Sequence, residues 1–486
     1  MSAAVPSSPA RDHAPGLERA FARVPEERSC LVTRITGEIP DYVRGTYYLN
    51  GPARFSRAGF AYRHWLDGDG MVAALRFGEE GVRLTSRFVR SAKWTAEEEA
   101  GRPLFRTFGT SFPGDRLLRG IALESPVNVS VVPYRGALLA FGEQGLPWEL
   151  DPETLETSGL YRFEGAVNEV SPLAAHAKLD PETGELWNFG ISFAAAEARL
   201  NLYRFAPTGA LLARFRLPIG LPCSLHDFCL SPRHAVFYLA PYRLDMAVLA
   251  QGGTLGEALT WEPALGSRLL VVSRETGEKV AEIPLGSRYS LHTINAWEED
   301  GYLGVDILEL DRPVYDQYQI LPEIFTDVAP GRPVRLLIDL ATGQLARREE
   351  LAYDRAPDFP AIDPRHFLKR AEDVWMLGIS ATGQPGRKFF DQLVRLSWND
   401  PRALDLWQAP AGSYLAGEPA FVPHPENAAA GSILCPIWNA QREESTFLLF
   451  EAGNLAAGPR AVLALEAPLH LAFHSVFVPS PPPSDR

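Results

Sequence analysis

Turn sequences rich in Asp, Pro and Gly recur along the whole chain, and each lies beside an apolar stretch of strand length. Asp and Asn side chains close turns by local hydrogen bonds, and Gly adopts positive φ at little cost. Hairpins spread over the chain, with few helical stretches between them, predict a closed all-β array such as a β-propeller. The repeat is too degenerate to give a blade count. The turns are DPETLET from Asp151, DPETGEL from Asp180, RETGEK from Arg274, DLATGQL from Asp339 and WNDPRAL from Trp398.

Two stretches depart from this pattern and are predicted to be helical. Residues 93–101 (KWTAEEEAG) are short and acidic, whereas residues 239–260 hold Met246 and Leu255 among few charges. The longer stretch has two interpretations. It is either a helix packed on a propeller face or an apolar lip that touches a membrane or an apolar substrate.

The composition fits one large β domain. The 486 residues are 46% hydrophobic, which is enough for a large core, and all-β chains can run long as a single unit. We expect a loose tail over residues 1–17, a single propeller domain over 18–479 and a second tail over 480–486. A net charge of -13 speaks against the basic surface typical of nucleic-acid binding, so no nucleic-acid partner is expected.

Neither a targeting segment nor a disulfide framework stands out in the sequence. The first residues show no signal-peptide pattern, and no run of about 18 apolar residues could span a bilayer. The four cysteines do not look like a disulfide framework in a chain of this size. We therefore expect a cytoplasmic protein, with peripheral membrane contact through residues 239–260 left open.

Four histidines lie in short, apolar, strand-like segments that are far apart in the chain: His176, His226, His292 and His474. A buried imidazole must find polar partners, and any one of these taken alone is most simply a hydrogen-bonded core residue. Four of them would suit a single metal ion if the fold brought them together. Imidazole is a borderline ligand that binds Fe, Zn, Cu and Ni.

Strand geometry separates other candidate ligands from this set. Side chains alternate between faces along a strand, so His226 in CSLHDFC points away from Cys223 and Cys229. A cysteine-ligated metal is therefore disfavoured. His470 and His474 would share a face but stand roughly 13 Å apart along one strand, too far to bind the same ion.

Two carboxylates in apolar surroundings are candidate partners for metal-binding histidines. They are Glu143 in ALLAFGEQG and Glu418 in YLAGEPAFVP. A metal-bound histidine normally donates its second ring N–H to an acceptor, often a carboxylate. Solvated acids at turn ends are the alternative interpretation. His64 in YRHWLDGDGM also stays open, either as a ligand or as a structural hydrogen-bonding residue.

The segments around these residues form an ordered set of motifs. They are RGTYYLNGPARF, HWLDGDGM, LPWELDPETLET, AHAKLDPETGEL, LHDFCLSPRHAVF, HTINAWEED, GEPAFVP and FHSVF. Through them, nearly the whole chain resembles the carotenoid cleavage oxygenases, a family that includes apocarotenoid-cleaving, stilbene-cleaving and retinoid-isomerising enzymes. The resemblance implies a seven-bladed β-propeller with a helical cap over the metal-bearing end. It also implies that Fe(2+) on the propeller axis is held by His176, His226, His292 and His474, and that His64 is structural.

The resemblance further implies three carboxylates around the iron ligands. Glu143 and Glu418 match two of them, and the third falls on Asp358, where relatives have the longer glutamate. A second departure is Ser475, which follows the last histidine where relatives usually have glycine. Ser475 is expected to narrow the cavity.

The activity implied by the resemblance is that of a non-haem iron dioxygenase. It adds O2 across one C=C bond of a carotenoid or apocarotenoid and gives two aldehyde products, with no catalytic residue beyond the metal site. Stilbene-cleaving relatives bind the substrate phenol with a lysine and a tyrosine, and those positions here are Gly142 and Phe108. This favours an apolar polyene over the alternative, a stilbene or phenylpropene. Phe108, Phe141 and Trp148 are predicted to line the substrate tunnel, or else to be ordinary core aromatics.

Two further alternatives have less support. One is a retinoid isomerase-hydrolase, which would consume no O2. The other is a propeller that has lost turnover and only binds lipid or protein, although all four candidate ligands are present.

Overall fold

Seven antiparallel sheets make up most of the fold and form a seven-bladed β-propeller. The computed structural model describes residues 12–118, 123–192, 197–314, 321 and 323–480. The predicted all-β array is therefore confirmed, and so is the blade count implied by the family resemblance.

Five of the blades are four-stranded sheets. Blade 2 contains β8 (Ser130–Tyr134), β9 (Ala137–Phe141), β10 (Trp148–Leu150) and β11 (Thr157–Leu160); blade 3 contains β12 (Lys178–Leu179), β13 (Leu186–Ser192), β14 (Arg199–Phe205) and β15 (Leu211–Pro218). Blade 4 contains β16 (Cys229–Leu230), β17 (His234–Leu239), β20 (Ser267–Ser273) and β21 (Lys279–Gly286); blade 5 contains β22 (Thr293–Glu299), β23 (Tyr302–Leu310), β24 (Gly331–Asp339) and β25 (Gln344–Glu350). Blade 6 contains β26 (Asp358–Ala361), β27 (Asp373–Gly378), β28 (Gln392–Ser397) and β29 (Leu404–Gln408).

The other two blades combine strands from both ends of the chain, and this closes the ring. Blade 1 contains β1 (Arg28–Leu31), β3 (Gly45–Arg54), β6 (Asp69–Gly78), β7 (Gly81–Phe88) and β35 (Ser475–Pro479). Blade 7 contains β2 (Arg34–Gly37), β30 (Ser413–Leu415), β31 (Ala420–Pro423), β32 (Gly431–Asn439), β33 (Glu444–Glu451) and β34 (Ala461–Ala464). Early strand β3 pairs with the late strand β35, and β2 pairs with β34. A closed ring leaves no long unpaired edge.

The turn sequences behave as the pattern predicts. The carboxylates of Asp151, Asp180 and Asp339 each accept hydrogen bonds from the backbone N–H groups two and three residues later, at 2.7–3.3 Å. Gly184 and Gly343 follow at φ values of 69° and 66°, which other residues adopt only with strain. These turns join consecutive strands within a blade.

The helices are short. Those in the described part of the chain are α1 (Glu18–Ala22), α2 (Ala92–Ala100), α3 (Met246–Ala250) and α4 (Leu255–Ala258), with 3-10 turns at Trp65–Asp67, Phe163–Gly165, Pro263–Leu265, Pro364–His366 and Leu455–Ala457. Helix α2 matches the helix predicted over residues 93–101. Two small hairpins, β4 (Ser56–Arg57) with β5 (Phe60–Ala61) and β18 (Tyr242–Leu244) with β19 (Leu259–Trp261), complete the structure. No helix in the described ranges is both long and apolar enough to cross a membrane.

The prediction of one helix over residues 239–260 is wrong. The β18–β19 hairpin encloses two separate short helices, α3 and α4. Asp245 caps the start of α3 and Thr254 caps the start of α4, because each side chain accepts a hydrogen bond from the first turn of its helix. The pair Gly252–Gly253 between them disfavours a continuous helix.

The predicted N-terminal tail is too long at its C-terminal end. Ala14 and Leu17 are fully buried, and the carbonyl of Pro15 accepts a hydrogen bond from Tyr414 at 2.9 Å. Residues 12–17 therefore pack against blade 7, because their apolar side chains find partners there. Residues 1–11 and 481–486 lie outside the described residues. The single-domain boundary over 18–479 stays a prediction.

Candidate metal centre

The four histidines singled out in the sequence come together in space. His176, His226, His292 and His474 offer ring nitrogens that all lie within 4.8 Å of one another. Their ring centroids are 4.4–6.4 Å apart, and the Nε2 atoms of His176 and His226 are 2.9 Å apart. Neither Cys223 nor Cys229 belongs to this group. The argument from alternation along a strand does not apply here, because residues 224–228 are not part of a strand.

The four histidines occupy equivalent positions in four blades. Each lies in extended chain just before the first strand on the axial side of its blade: β12, β16, β22 or β35. The strand-like segments predicted around them are therefore only partly strands. Because the blades converge at the axis, residues at these strand entries can reach one centre although they are far apart in sequence. His470, which we placed on one strand with His474, lies in a segment without strand structure.

Two of the histidines contact glutamates through Nδ1. His226 Nδ1 lies 2.9 Å from Glu143 Oε1 and 2.8 Å from Glu143 Oε2. His474 Nδ1 lies 3.3 Å from Glu418 Oε1. A carboxylate accepts a hydrogen bond from Nδ1–H, so each ring keeps the tautomer in which Nε2 carries a lone pair. The lone pairs are thus available at the centre of the cluster.

Asp358 makes the corresponding contact in spite of its shorter side chain. His292 Nδ1 donates directly to Asp358 Oδ1, with no water between them. The backbone accommodates this contact, because Asp358 begins β26 next to a register irregularity and Phe359 has a φ of 52°. Phe359 N also donates to Asp358 Oδ1 at 2.9 Å. The local bulge therefore brings the shorter acid within direct reach of the ring.

His176 has a different environment. Its Nδ1 lies 3.8 Å from Asp227 Oδ1, beyond hydrogen-bond distance. Asp227 instead accepts from Lys178 Nζ at 2.8 Å and from the Thr293 hydroxyl at 2.7 Å. The sequence interpretation missed Asp227. The signal was present, since this carboxylate directly follows His226 in an apolar segment.

Burial sets the charge of the cluster. Burial and the neighbouring rings lower the pKa of His176 well below its usual value. Burial also lowers the pKa of His474, although Glu418 opposes this. For His292 burial acts in the same direction, but the Asp358 carboxylate outweighs it and the pKa is raised. His176 and His474 are therefore neutral near pH 7, as metal ligands must be.

The donor set fits a divalent transition-metal ion. The Nε2 atom of His292 is buried and has no hydrogen-bond partner among the described residues. Four imidazoles supply borderline nitrogen ligands, and three nearby carboxylates supply negative charge. A cation at the centre would satisfy the converging lone pairs and offset the carboxylates. The cluster could therefore hold a metal ion.

The arrangement matches a known family. A family model described as "Retinal pigment epithelial membrane protein" matches residues 21–479. The chain belongs to the carotenoid cleavage oxygenase family. Members of this family are non-haem iron oxygenases, and the protein is an enzyme of this kind.

Named relatives cover nearly the whole chain. Isoeugenol monooxygenase from Pseudomonas nitroreducens is 30% identical, over 92% of this chain and 94% of the relative. Apocarotenoid-15,15'-oxygenase from Synechocystis is 28% identical, over 93% and 94%. A solved structure of cobalt-substituted Synechocystis apocarotenoid oxygenase has a TM-score of 0.86 at 25% identity, covering 97% of this chain and all of that one. Together the relatives support oxidative cleavage of a C=C bond.

Ser475 departs from this family's usual glycine and has a different role from the one we predicted. Its backbone N–H donates to Glu418 Oε2 at 2.8 Å, and its hydroxyl donates to the Glu418 carbonyl at 3.0 Å. These bonds hold Glu418 beside His474. Ser475 therefore positions the carboxylate, and the idea that it narrows the cavity has no support.

His64 caps a turn, which agrees with the structural role that the resemblance implied for it. Its Nδ1 accepts a hydrogen bond from Leu66 N at 3.1 Å, and its backbone N–H donates to Asp67 at 3.0 Å. These two bonds cap the 3-10 turn Trp65–Asp67.

Two cavities lie beside the metal centre, and Glu143 is in the wall of both. The larger has a volume of ≈ 90 Å³ and the smaller ≈ 30 Å³. Phe108, Gln144 and Leu255 also line both. Because Leu255 is on α4, this helix covers the cavities at this end of the propeller. Other lining residues of the larger cavity are Leu173, Phe189, Ile191, Leu225, Leu244 and Leu259.

Of the three aromatics predicted to line the substrate tunnel, Phe108 lines the two cavities beside the metal centre, and that these cavities form the tunnel stays a prediction. Phe141 instead packs in a buried cluster with Leu139 and Phe163, and Trp148 packs against a second cluster that contains Tyr48. Both positions are on strands of blade 2 whose side chains face the neighbouring blades. The core interpretation, which we kept as the alternative, is correct for these two.

Gly142 fits a position without room for a side chain. A Cβ atom there would lie 1.8 Å from Ser125 Oγ and 3.2 Å from Val127 N. A lysine at this position would require Ser125 to move. Ser125 therefore fills the space next to Gly142, the position that the family resemblance assigned to a lysine.

Proposed function

We propose that this protein is an Fe(2+)-dependent dioxygenase that cleaves a C=C bond of a carotenoid or apocarotenoid. O2 is the second substrate, and two aldehydes are the products. The observation that carries the proposal is the group of four convergent imidazoles, three of them bonded to carboxylates through Nδ1. This donor set suits an iron that keeps a position open for O2.

His176, His226, His292 and His474 would hold the iron. When bound, iron supplies the activation of O2. The chain's own contribution is to keep the four rings in place and to keep water away. Glu143, Asp358 and Glu418 hold three Nδ1 protons and place negative charge around the ligands. No general base is required.

An apolar polyene is the preferred substrate class. Eight of the fifteen residues that line the larger cavity are Leu, Ile or Phe, whose side chains suit a hydrocarbon. Glu143, Gln144 and Ser224 are the polar residues of this wall. The lysine and tyrosine that bind a phenol in stilbene-cleaving relatives are replaced by Gly142 and Phe108. A phenylpropene or stilbene is the second candidate, favoured by the similarity to isoeugenol monooxygenase.

The β18–β19 hairpin is a candidate site of membrane contact. Met246 on α3 is 43% exposed, and Val248 and Leu249 are half-buried beside it. Exposed apolar side chains at a cavity mouth suit an entry route for a substrate that partitions into lipid. Sedimentation with liposomes, compared between wild type and Met246→Ser, would test this contact.

The test is anaerobic loading with Fe(2+), followed by measurement of iron content, O2 uptake and product masses. A β-apocarotenal, a hydroxystilbene and isoeugenol would be compared side by side. We expect about one iron per chain and cleavage of the apocarotenal to two aldehydes. If only the phenolic compounds were cleaved, the substrate would be a phenylpropene or stilbene, the second candidate. Failure to bind iron would overturn it.

A further inference from the structure

The smaller cavity contains a carboxyl group that the proposed reaction does not use. Glu124 lines this cavity and is 9% exposed. The apolar part of the wall is formed by Leu66, Phe108, Leu123, Pro126 and Leu255, and its polar part by Thr107, Ser125, Asn128, Glu143 and Gln144. A carboxyl group in such an environment is costly unless something hydrogen-bonds to it.

No protein group in the described ranges does so. Two polar neighbours in this cavity are engaged elsewhere: the Asn128 amide donates to two carbonyls at 2.9 and 2.7 Å, and Ser125 Oγ accepts from Val127 N at 3.1 Å. Gln144, a further polar residue of the wall, is exposed. Lys93 is the charged group that acts on Glu124. However, Lys93 Nζ already donates to Asp69 at 2.7 Å and to Glu97 at 2.9 Å. Glu124 is thus left facing the cavity.

Glu124 is next to the positions where the family's phenol-binding residues are missing. Ser125, its chain neighbour, fills the space beside Gly142. Phe108, which stands at the tyrosine position, lines the same cavity as Glu124. Glu143 lines it too and contacts His226, so one cavity wall contains both Glu124 and a carboxylate that is bonded to a histidine of the metal centre.

We propose that Glu124 is a specificity-determining residue that accepts a hydrogen bond from a hydroxyl group at one end of the substrate. The inference rests on the proposed function, and it narrows the substrate to hydroxylated alkenes. The hydroxyl is either a phenol of an aryl alkene or a ring alcohol of an apocarotenoid. Both present the same donor to the same carboxyl.

A hydroxyl suits this site better than a carbonyl. Burial raises the pKa of Glu124 to about 7, with Lys93 opposing the shift. Both the charged and the neutral carboxyl can accept a hydrogen bond from a hydroxyl, whereas only the neutral form can donate to a carbonyl. A hydroxyl donor is therefore bound in either state.

The test compares matched substrate pairs with wild type, Glu124→Gln and Glu124→Leu. One pair is isoeugenol and its methyl ether, and the other is a ring-hydroxylated apocarotenal and β-apocarotenal. We expect wild type to prefer the hydroxylated member of one pair by about 10- to 100-fold in kcat/KM, the usual range for a hydrogen bond to a charged group. The pair that shows this preference identifies the source of the hydroxyl.

The variants should change this preference and little else. Glu124→Leu should remove it while activity on the unhydroxylated partner stays within about threefold, and Glu124→Gln should keep part of it through the amide carbonyl. Glu156→Leu, with a side chain 72% exposed, is the matched control and should behave as wild type. A preference that survives in Glu124→Leu, or no preference in wild type for either pair, would overturn the inference.

Binding separates this inference from the proposed function. The dissociation constants of dihydroisoeugenol and its methyl ether, which lack the cleavable bond, can be measured by tryptophan fluorescence. If iron binds but no alkene is cleaved, the proposed function fails, and these constants still report on Glu124. The dissociation constants of the two apocarotenals are measured under nitrogen in the same way. Equal constants within both pairs in wild type would overturn the inference about Glu124. Thermal unfolding midpoints identify a variant that fails to fold. If Glu124→Leu fails to fold, the inference is judged on the substrate preference of Glu124→Gln, whose side chain is nearly isosteric.

Discussion

Two buried polar clusters in this protein resemble each other in burial but differ in how their charges are satisfied. One is the metal centre. The other, the blade-1 charge cluster, consists of Arg57, Asp69, Lys93 and Glu97, whose side chains are at most 2% exposed. Lys93 donates to Asp69 and Glu97, and Arg57 donates to the same two acids. Two positive and two negative groups therefore neutralise each other.

The metal centre is not balanced in this way. Its carboxylates bind the outer nitrogens of three rings, and the inner nitrogens converge on one another. No positive group of the described chain occupies that centre. A buried cluster that satisfies itself is structural, whereas one that leaves lone pairs converging on a point requires a cation. Burial of polar groups alone does not distinguish the two.

The largest expected effect is the loss of a ligand from the metal centre. Each single replacement of a metal-centre histidine by Ala should reduce activity by at least about 10⁴-fold, which corresponds to a loss of more than about 5 kcal/mol of transition-state stabilisation. The four positions are His176, His226, His292 and His474. Iron content after anaerobic loading and O2 uptake measure this. His366→Ala is the control, because that side chain is 46% exposed and lies outside the cluster. Wild-type activity in any of the four variants would remove that residue from the ligand set.

Loss of a charge from the blade-1 charge cluster should lower the stability of the fold and leave iron binding unchanged. Lys93→Met leaves Asp69 and Glu97 with a single cation, and breaking a buried ion network in this way costs about 3–5 kcal/mol of unfolding free energy. Iron content of the folded fraction should stay unchanged. Urea unfolding and metal analysis on the same sample check both statements. If Lys93→Met lost iron without a change in its free energy of unfolding, the structural role of the blade-1 charge cluster would be contradicted.

The sequence predicted the metal centre better than the charge cluster, and the reason is physical. Histidine in an apolar segment is unusual enough to stand out, and motif order supplied the rest. Lys93 and Glu97 were predicted to be helical, but a short acidic helix is normally solvated. Only the packing of α2 against blade 1 makes these two side chains buried. Local sequence does not contain that information.

The failures within the fold have the same origin. Residues 239–260 are apolar, and apolarity alone does not separate one helix from a hairpin that encloses two short ones. Phe141 and Trp148 are aromatic near the site, but their strands direct them into the core. Turn chemistry, by contrast, is local, and so the turns at Asp151, Asp180 and Asp339 were predicted correctly.

A smaller effect is expected from the carboxylates around the metal centre. Glu418→Gln keeps the size of the side chain but removes its charge, and it should weaken iron binding by about 10- to 100-fold. Competition with a chelator measures this affinity. Ser475→Gly is a companion variant that removes the hydroxyl bond to the Glu418 carbonyl and should lower affinity less. Equal affinity in Glu418→Gln and wild type would show that the carboxylate charge is not needed at the centre.

The smallest expected effect comes from a buried imidazole that belongs to neither cluster. Both ring nitrogens of His470 are buried without a hydrogen-bond partner in the described chain, and no other ligand group converges on them. Burial lowers the pKa of His470 to about 3. The unfolded chain therefore binds a proton at pH values where the folded chain does not, so stability is lost as pH falls below about 6.5.

In the metal-free protein, His470 should lower the free energy of unfolding by about 1 kcal/mol when the pH falls from 7 to 5.5. His470→Met removes the titrating group and keeps the site apolar, so that part of the pH dependence should disappear. Urea unfolding at both pH values, with His366→Ala as the exposed control, measures the difference. An unchanged pH dependence in His470→Met would mean that the ring is hydrated or protonated in the folded state. We expect the isolated imidazole of His470 to stay neutral. With an unchanged pH dependence it would instead bind water or a proton, whereas the four convergent imidazoles of the metal centre bind a metal ion.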